Sequence, residues 1–396
     1  MSTPLKIAAI ITEYRHYSHA DVIVGKFLRG FPTDEGLIAP RVQIASLYVD
    51  QFPPEDLSRG VAAQFGIPIF GSIRQALTLG GEQLAVDGVL IIGEHGDYAW
   101  NEKEQHLYPR KYFMEQVCGV FATSGRAVPV FNDKHLSYNW HDADWMHKRA
   151  KQLGAPYMAG SSLPLGYRSP WLEHPLETPL QEAVVISYSG LDIYGFHALE
   201  TLQCMVERRT GGETGVAAVT FLEGEAVWPV VYGTTWLAEL LTAACAQIPG
   251  RAGLKLEEVV PQPALFLLEY RDGLRGAVLM HTPDDGVLET FAYAGRVAGE
   301  IQACEVFVGE DPHAHFSYLS LNVEEMFLSG KPTYPVERTL LTSGVLDAVL
   351  ESRYRGSIRL ETPYLDVAYR SYESPPRRPT GPRPVGAAVT PWPKAG

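Results

Sequence analysis

Hydrophobic residues in the first 155 positions recur as short apolar runs separated by segments with helical spacing. Continuous apolar runs of about four to eight residues are typical of strands inside a parallel sheet, and apolar positions three or four apart are typical of helices. Strands are predicted at residues 6–11, 42–49, 67–70, 88–92 and 128–132. Helices are predicted at 18–28, 54–65, 73–79, 108–124 and 141–153, the last ending at Gly154. Strands alternating with helices indicate an α/β fold with a doubly wound, Rossmann-like parallel sheet.

The pattern changes after about residue 155. Strands are predicted at 183–188, 216–222, 265–270, 277–281, 288–292 and 301–308, and helices at 318–328 and 336–354. Two of these strands bracket Asp272-Gly273, a strong signal for an antiparallel hairpin. We therefore expect a Rossmann-like domain at 1–155, an α+β domain with a mostly antiparallel, open-faced sheet at 156–373, and a Pro/Arg-rich tail at 374–396. The open face is expected to hold a second copy of the chain, because single-sided sheets tend to be covered.

Composition narrows the class of protein. The 396 residues are 46% hydrophobic and 20% charged, which is typical of a globular chain. A formal net charge of -13 opposes binding to nucleic acid, and no apolar run is long enough to span a membrane. The start, MSTPLKIAAIITEY, is interpreted as a first strand and not as a signal peptide. Four scattered cysteines without a C-x-x-C pair suggest reduced thiols in a cytoplasmic protein.

Several phrases, taken in order, resemble the Gfo/Idh/MocA family of sugar and cyclitol oxidoreductases. RGVAAQFGIPIFGSIRQAL matches that family's helix, Phe-Gly-Ile turn and short strand after the second β-strand, and DGVLIIGEHGDY occupies the place of its fourth strand and following loop. NDKHLSYNWHDADWMHKRAKQLGAPYMAG stands where the family has Glu-Lys-Pro, a helix and the next strand. YLSLNVEEMFLSGKPTYPVERTLLTSGVLDAVLESRYRGSIRL resembles its closing pair of helices. The resemblance implies a Rossmann domain followed by an open-faced sheet domain.

The resemblance also implies a catalytic site with alterations. Lys134 matches the lysine that touches substrate hydroxyl and cofactor, and His135 replaces the proline after it. In GLDIYGFHALET, His197 matches the family's catalytic histidine, with Gly195 before it and the acidic partner Glu200 after it. Ile193 stands where the family has an aspartate, and Asp192 is out of register by one. A histidine that removes a hydroxyl proton benefits from a carboxylate that orients it, so hydride chemistry is in question. A core histidine is the alternative for His197.

The first turn, TEYRHYSH at residues 12–19, lacks the glycines of a dinucleotide-binding turn. Such glycines let the backbone approach a pyrophosphate at the helix N-terminus. The candidate cofactor-binding residues are Thr12, Glu13, Arg15 and His16 in this turn and Asp50, which matches the acidic residue that holds a ribose hydroxyl. Arg15 and His16 could attract an anion, or the turn could be a polar surface loop. NAD or NADP is therefore expected to bind weakly or not at all.

Ionisable residues are enriched in the loops that follow the predicted parallel strands, and these loops converge on one crevice. The candidate catalytic residues are Lys134, His135, His197, His95 and Asp97, and the candidate ligands of a divalent metal are His16, His19, His95 and Asp97. Glu94 and Asp133 lie in the same loops, and His141, Asp144 and His147 fit a solvated helix face better. Aromatic residues accompany them, either to stack on the apolar faces of a sugar or to anchor the loops: Tyr14, Tyr17, Tyr98, Trp100, Tyr138 and Trp140.

Two classes of function follow. The first is an enzyme acting on a sugar, cyclitol or similar polyhydroxylated small molecule. It is either an oxidoreductase with an atypical or lost dinucleotide site, or a metal-assisted or acid-base lyase, isomerase or hydrolase. The second is a non-catalytic binding protein that kept the fold. The density of ionisable groups at the expected site loops favours an enzyme.

Overall fold

A computed structural model describes residues 3–309, 313–373 and 377–383. The elements of the first half are β1 (Leu5–Ile11), α1 (His19–Arg29), β2 (Phe31–Thr33), β3 (Gly36–Ile38), β4 (Val42–Val49), α2 (Ser58–Phe65), β5 (Ile69–Phe70), α3 (Ile73–Thr78), β6 (Gly88–Ile92), α4 (Arg110–Ser124), β7 (Val130–Asp133), α5 (Trp140–Leu153) and β8 (Tyr157–Gly160). Six strands form a parallel sheet in the order β5-β4-β1-β6-β7-β8, which confirms the predicted Rossmann-like sheet.

Two of the predicted strands have the predicted bounds, and others are shifted by a few residues, as β7 and β14 are. The observed β4 and β6 coincide with the predicted 42–49 and 88–92, and every residue of β6 is buried. The helix predicted from residue 54 begins at Ser58, because the Asp56 carboxylate accepts hydrogen bonds from the backbone and hydroxyl of Ser58 and holds the preceding residues in a turn. The β2–β3 hairpin was not predicted, since its strands are only three residues long.

The second half forms an eight-stranded mixed sheet. Its elements are β9 (Arg168–Ser169), β10 (Leu180–Tyr188), α6 (Ile193–Val206), β11 (Val216–Glu223), α7 (Val227–Gly233), α8 (Thr235–Cys245), α9 (Leu256–Val259), β12 (Pro263–Tyr270), β13 (Arg275–His281), β14 (Phe291–Val297), β15 (Glu300–Val306), α10 (Ala314–Ser329), α11 (Glu337–Tyr354) and β16 (Leu360–Glu361). The order is β16-β11-β12-β13-β10-β14-β15-β9, and only the β10–β13 pair is parallel. The predicted hairpin at Asp272-Gly273 joins β12 to β13 and is confirmed.

Helices pack on both faces of this sheet. Successive strand residues point to opposite faces. Gly276 of β13 faces Leu202 of α6, whereas its neighbour Arg275 lies over the Trp236 ring of α8. On that second face α8 packs against β10, β14 and β15. Helix α8 of the same chain therefore covers part of the face that was expected to be open, while residues 300–302 of β15 stay exposed, and a homo-oligomer through this sheet stays a prediction.

The two halves share an extensive contact. From the second half, α10 packs against α1 and β2, and α11 packs against α5. The last strand of the first sheet, β8, ends at Gly160, so a domain boundary at 155 stays a prediction. The predicted tail lies outside the described residues except for 377–383, where the Arg377 backbone exchanges two hydrogen bonds with the Asn322 side chain. No helix in the described part of the chain is long and apolar enough to cross a membrane.

Candidate active site

A cleft of about 660 Å³ lies between the carboxyl edge of the first sheet and the β10–α6 corner of the second half. One wall carries ionisable side chains: His19, Glu94, His95, Lys134, His197, His313 and His315. The other surfaces are mostly apolar and include Tyr17, Tyr188, Tyr194, Phe291 and Phe316. Because β1, β6 and β7 all end at this edge, the loops after them bring side chains more than 100 residues apart in sequence to one place.

Lys134 belongs to a buried network of charges. Its Nζ lies 3.0 Å from Glu94 Oε1, and both side chains are at most 2% exposed. The other oxygen of Glu94 accepts a hydrogen bond from the Arg110 guanidinium, which also donates to His135 Nε2 at 3.0 Å. Although burial opposes ionisation, Lys134 and Arg110 hold the pKa of Glu94 well below its ordinary value. The Glu94 carboxylate therefore stays charged and fixes the Lys134 ammonium at the cleft.

The backbone at the cleft adopts unusual conformations. Tyr17, His95, Lys134 and His313 line the cleft and have φ values of 60°, 69°, 58° and 55°. Residues other than glycine rarely adopt this left-handed region of φ. Residues held in such strained conformations cluster at functional sites. For Lys134 the turn follows directly from the end of β7, where its N–H donates to the Gly160 carbonyl at 3.3 Å. Of the ten non-glycine residues with positive φ in the described ranges, these four lie at the cleft.

Burial keeps several histidines of the cleft neutral. It lowers the pKa of His95 to about 3 and holds the pKa values of His197 and His315 well below the ordinary range. Arg15 Nη2 lies 3.2 Å from His95 Nδ1, and a guanidinium can only donate, so the ring proton of His95 is on Nε2. That nitrogen is buried and has no protein partner. The histidines thus offer the cleft neutral hydrogen-bonding groups.

His197 is fixed by the second half of the chain. Its Nδ1 lies 2.7 Å from Ser161 Oγ, in the segment that follows β8. Glu200, one turn further along α6, does not contact His197; it accepts hydrogen bonds from Thr339 and Thr342, and burial raises its pKa. Asp192 precedes α6 and is buried, with one oxygen accepting from the His106 backbone at 3.0 Å. Burial raises the pKa of Asp192 to about 6.

His19 and Asp133 form a close pair beside Lys134. His19 Nδ1 lies 2.5 Å from Asp133 Oδ2, and the two side chains are 12% and 1% exposed. His19 is the first residue of α1, whose start is fixed by Ser18 as the capping residue. Asp133 is the last residue of β7. The pair therefore joins two of the loops that meet at the cleft.

Solved structures match the chain along most of its length. GenD2 from gentamicin A biosynthesis, in complex with NAD, has a TM-score of 0.59 at 15% identity, over 91% of this chain and 97% of GenD2. Scyllo-inositol dehydrogenase from Lactobacillus casei has a TM-score of 0.56 at 9% identity, over 91% and 98% of the two chains. Aldose-aldose oxidoreductase from Caulobacter crescentus, complexed with glycerol, has a TM-score of 0.51 at 15% identity, over 91% and 100%.

The chain shares the fold of these solved structures, as the resemblance of its sequence to the Gfo/Idh/MocA family implied. The predicted fold class is thereby confirmed. No protein-family model matches the sequence, and no curated protein matches it. At these identities the likeness establishes the fold alone, so the chemistry must be argued from this chain's own residues.

In a Gfo/Idh/MocA fold a dinucleotide would meet the first turn and the N-terminus of α1. Here the Asp21 carboxylate sits at that N-terminus and accepts from the Tyr17 N–H at 3.2 Å. Ser18 Oγ accepts from the N–H groups of Arg15 and Asp21 at 3.1 and 3.3 Å. Tyr14 is fully buried, and the nearly buried Glu13 pairs with Arg15 at 2.6 Å. The N–H groups of Arg15, Tyr17 and Asp21 are thus engaged by side chains of this turn and helix.

The predicted ribose ligand, Asp50, is similarly engaged. Its two oxygens each accept a hydrogen bond of 2.7 Å, one from the Tyr48 hydroxyl and one from the Tyr98 hydroxyl. Thr12 is buried and donates from its hydroxyl to the Glu94 carbonyl at 2.7 Å. Both residues hold neighbouring loops in place through these contacts.

The structure brings together some predicted site residues and separates others. Lys134, His95, His197 and His19 line the cleft. Two of the predicted catalytic residues lie outside it. Asp97 is exposed outside the cleft because the Gln51 side chain binds its backbone at 2.8 and 3.0 Å, and His135 lies buried behind the cleft against Arg110.

His16 is likewise outside the cleft, with 70% of its side chain exposed. Within 3–309, 313–373 and 377–383 no group of three or more His, Cys, Asp or Glu side chains is arranged to hold a metal ion, so the metal alternative has no ligand set there. Of the predicted aromatic residues, only Tyr17 lines the cleft. Arg110, Ser161, His313 and His315 were not predicted, and nothing local in the sequence marks them as neighbours of Lys134.

Proposed function

We propose that this protein is an enzyme that binds a neutral, polyhydroxylated small molecule, such as a sugar or cyclitol, in the cleft. Lys134 and His197 contact its oxygen atoms, and the reaction is acid-base chemistry that uses no dinucleotide at the first turn. The observation that carries the proposal is the buried pairing of Lys134 with Glu94 at a strained backbone position that opens on the cleft. Buried charge and strain both cost stability, and such costs are concentrated at functional sites.

Charge and shape support a neutral ligand. Glu94 offsets part of the positive charge of Lys134 and Arg110, and the lowered pKa values of His95, His197 and His315 leave those rings uncharged near neutral pH. Hydroxyl groups match neutral donors and acceptors of this kind, whereas an anion would need more cations. The aromatic rings that line the same cleft, several of them in contact with histidines of the cleft, suit the apolar face of a sugar or cyclitol ring.

The first turn supports chemistry without a dinucleotide. A bound pyrophosphate needs free backbone N–H groups and a close approach to the helix N-terminus. The Asp21 carboxylate would repel it there, and Ser18 already accepts from two of the N–H groups. A ribose hydroxyl would also have to displace tyrosine hydroxyls from Asp50. We infer that these residues do not fit the cofactor.

A second candidate is a dinucleotide-dependent oxidoreductase, and the structural likeness to NAD-bound GenD2 favours it. Titration calorimetry with NAD and with NADP separates the two candidates. We expect dissociation constants above about 1 mM, equivalent to a binding free energy weaker than about -4 kcal/mol. Micromolar binding of either dinucleotide would support the second candidate, a dinucleotide-dependent oxidoreductase, against the first.

Ligand binding is tested with myo-inositol, scyllo-inositol and D-glucose by saturation-transfer NMR. We expect at least one of them to bind and Lys134→Ala and His197→Ala to abolish the signal. Lys134→Ala leaves Glu94 paired with Arg110, so circular dichroism should show a folded protein. Lys148→Ala, at a side chain 72% exposed, is the control and should bind as wild type does. Unchanged binding in both cleft variants would place the ligand elsewhere.

A further inference from the structure

The His19–Asp133 pair is the one imidazole–carboxylate contact among the described residues that line or border the cleft. Its 2.5 Å separation and the near-complete burial of the carboxylate distinguish it from the exposed His16–Asp21 contact at 3.6 Å. His19 has ring contacts with His95 and Phe316, at centroid distances of 5.3 and 5.2 Å. The imidazole is therefore held on several sides while it lines the cleft.

The carboxylate determines which nitrogen of His19 is basic. A carboxylate only accepts, so Nδ1 must carry the proton that Asp133 binds. In the neutral ring Nε2 then has the free lone pair. A carboxylate that orients an imidazole also stabilises the imidazolium formed when that lone pair takes a proton. This arrangement gives His19 the character of a general base.

A fixed cation lies next to this base. Lys134 directly follows Asp133 in the chain and lines the same cleft, and Glu94 at 3.0 Å holds its ammonium in place. A base together with a hydrogen-bond-donating cation can remove a proton beside a carbonyl group, because the cation stabilises the oxyanion that forms. His95 supplies a further donor, its buried Nε2–H.

We infer that His19, oriented by Asp133, removes a proton from the carbon next to the carbonyl group of a keto or aldehyde sugar or cyclitol, and that Lys134 stabilises the resulting enediolate. The inference rests on the proposed function and adds the reaction to it. His19 Nε2 takes the proton, the C–H electron pair forms the C=C bond, and the carbonyl π pair moves to oxygen. Return of the proton to the former carbonyl carbon, with transfer of the hydroxyl proton from one oxygen to the other, gives the isomeric carbonyl compound, so the step needs no oxidant, reductant or other co-reactant.

The experiment follows deuterium incorporation in D₂O by proton NMR. The carbonyl probes are D-fructose, D-xylulose and 2-keto-myo-inositol, and myo-inositol is the probe without a carbonyl group. We expect at least one carbonyl probe to lose its C–H signal faster with enzyme than in buffer. His19→Asn keeps a donor for Asp133 but has no base, and should lower the rate at least about 100-fold. His16→Asn, on the same loop but outside the cleft, should leave the rate unchanged.

Asp133 is a positioning residue, so its variant needs a second readout. Asp133→Asn should also lower the rate by about 100-fold or more, because the imidazole loses its orienting charge. In wild type and His16→Asn the strongly hydrogen-bonded Nδ1–H of His19 should give a low-field proton resonance. His19→Asn should lose this resonance, and Asp133→Asn should lose it or shift it upfield while the rest of the spectrum stays that of a folded protein.

The outcomes distinguish the two proposals. If a probe binds in the cleft but no carbonyl probe exchanges, or if exchange persists in His19→Asn, the inference is overturned and the proposed function stands. If neither the carbonyl probes nor myo-inositol, scyllo-inositol and D-glucose bind, the proposed function fails, and the inference fails with it. Exchange that is lost in His19→Asn and kept in His16→Asn supports both.

Discussion

The first turn and the cleft wall both contain polar residues at the carboxyl edge of one sheet. The two regions differ in whether the polar groups find hydrogen-bond partners within the chain. In the turn and the neighbouring Asp50 corner, the side-chain acceptors are used within the chain, since Asp50 accepts from two tyrosines and Ser18 accepts from two N–H groups, although the buried Tyr14 hydroxyl has no partner. At the cleft wall, ring nitrogens of buried histidines lack protein partners, and Lys134 is held in a strained conformation. Internal satisfaction indicates a structural role, and spare capacity at a cavity indicates a ligand.

Glu94→Gln is expected to have the largest effect, because Glu94 connects the cleft wall to the interior. Gln has the same shape but no charge, so the buried Arg110 and Lys134 lose their counterion. Removing one partner of a buried ion pair costs about 3–5 kcal/mol, and urea denaturation should show a loss of that size. Glu104→Gln is the control: its carboxylate is 70% exposed beside Arg353, and it should change stability by less than about 1 kcal/mol. Equal effects would mean that the Glu94 network is not a buried charge cluster.

The sequence was informative about the sheet and much less so about the site. Strand β6 could be located because five consecutive apolar residues suit only a buried position in a parallel sheet. The direction of Asp97 could not be predicted, because Gln51, far away in the chain, fixes its backbone. His19 was recognised only as a candidate metal ligand, because its partner Asp133 is 114 residues away. Side-chain partners across loops depend on the completed fold and not on local pattern.

The packing of helix α8 on the second sheet could not be predicted from the sequence, for a related reason. Helices α7 and α8 were not predicted, and apolar spacing alone would not tell which surface a helix covers. Only the assembled sheet shows Arg275 under Trp236 of α8 and Arg296 paired with Glu182 and Glu239. The resemblance implied an open face, and these long-range contacts place helix α8 over part of it, against β10, β14 and β15.

Asp192→Asn should change how the free energy of unfolding depends on pH. Asp192 lies beside the charged network but outside the main cleft. Burial raises its pKa from 3.8 to about 6, so between those values the folded protein binds the proton more tightly than the unfolded chain does. This contribution to stability is present below about pH 4 and is lost as pH rises through about 6, an effect of about 3 kcal/mol. Asparagine stays neutral and keeps an acceptor for the His106 N–H.

Unfolding free energies measured from pH 4 to pH 7 should therefore shift in favour of Asp192→Asn by about 3 kcal/mol relative to wild type. The cleft histidines have lowered pKa values, so they act in the opposite direction and destabilise the fold in acid, but they are present in both proteins and cancel in the difference. A difference that does not change with pH would show that Asp192 is ionised in the fold at pH 4 as it is in the unfolded chain.

Asp50→Ala tests the region of the first turn and Asp50. Its effect on stability should be smaller than those of Glu94→Gln and Asp192→Asn. The substitution takes the acceptor from two tyrosine hydroxyls whose pKa values are raised by burial and by Asp50 itself, and the loss should be about 1–2 kcal/mol in urea denaturation. Asp97→Ala removes an exposed carboxylate two residues beyond the cleft-lining His95 and should change stability by less than about 0.5 kcal/mol. If Asp50 were a ribose ligand, Asp50→Ala would leave the free energy of unfolding unchanged and would weaken NAD binding. A loss of stability with no change in NAD affinity would show that Asp50 has a structural role.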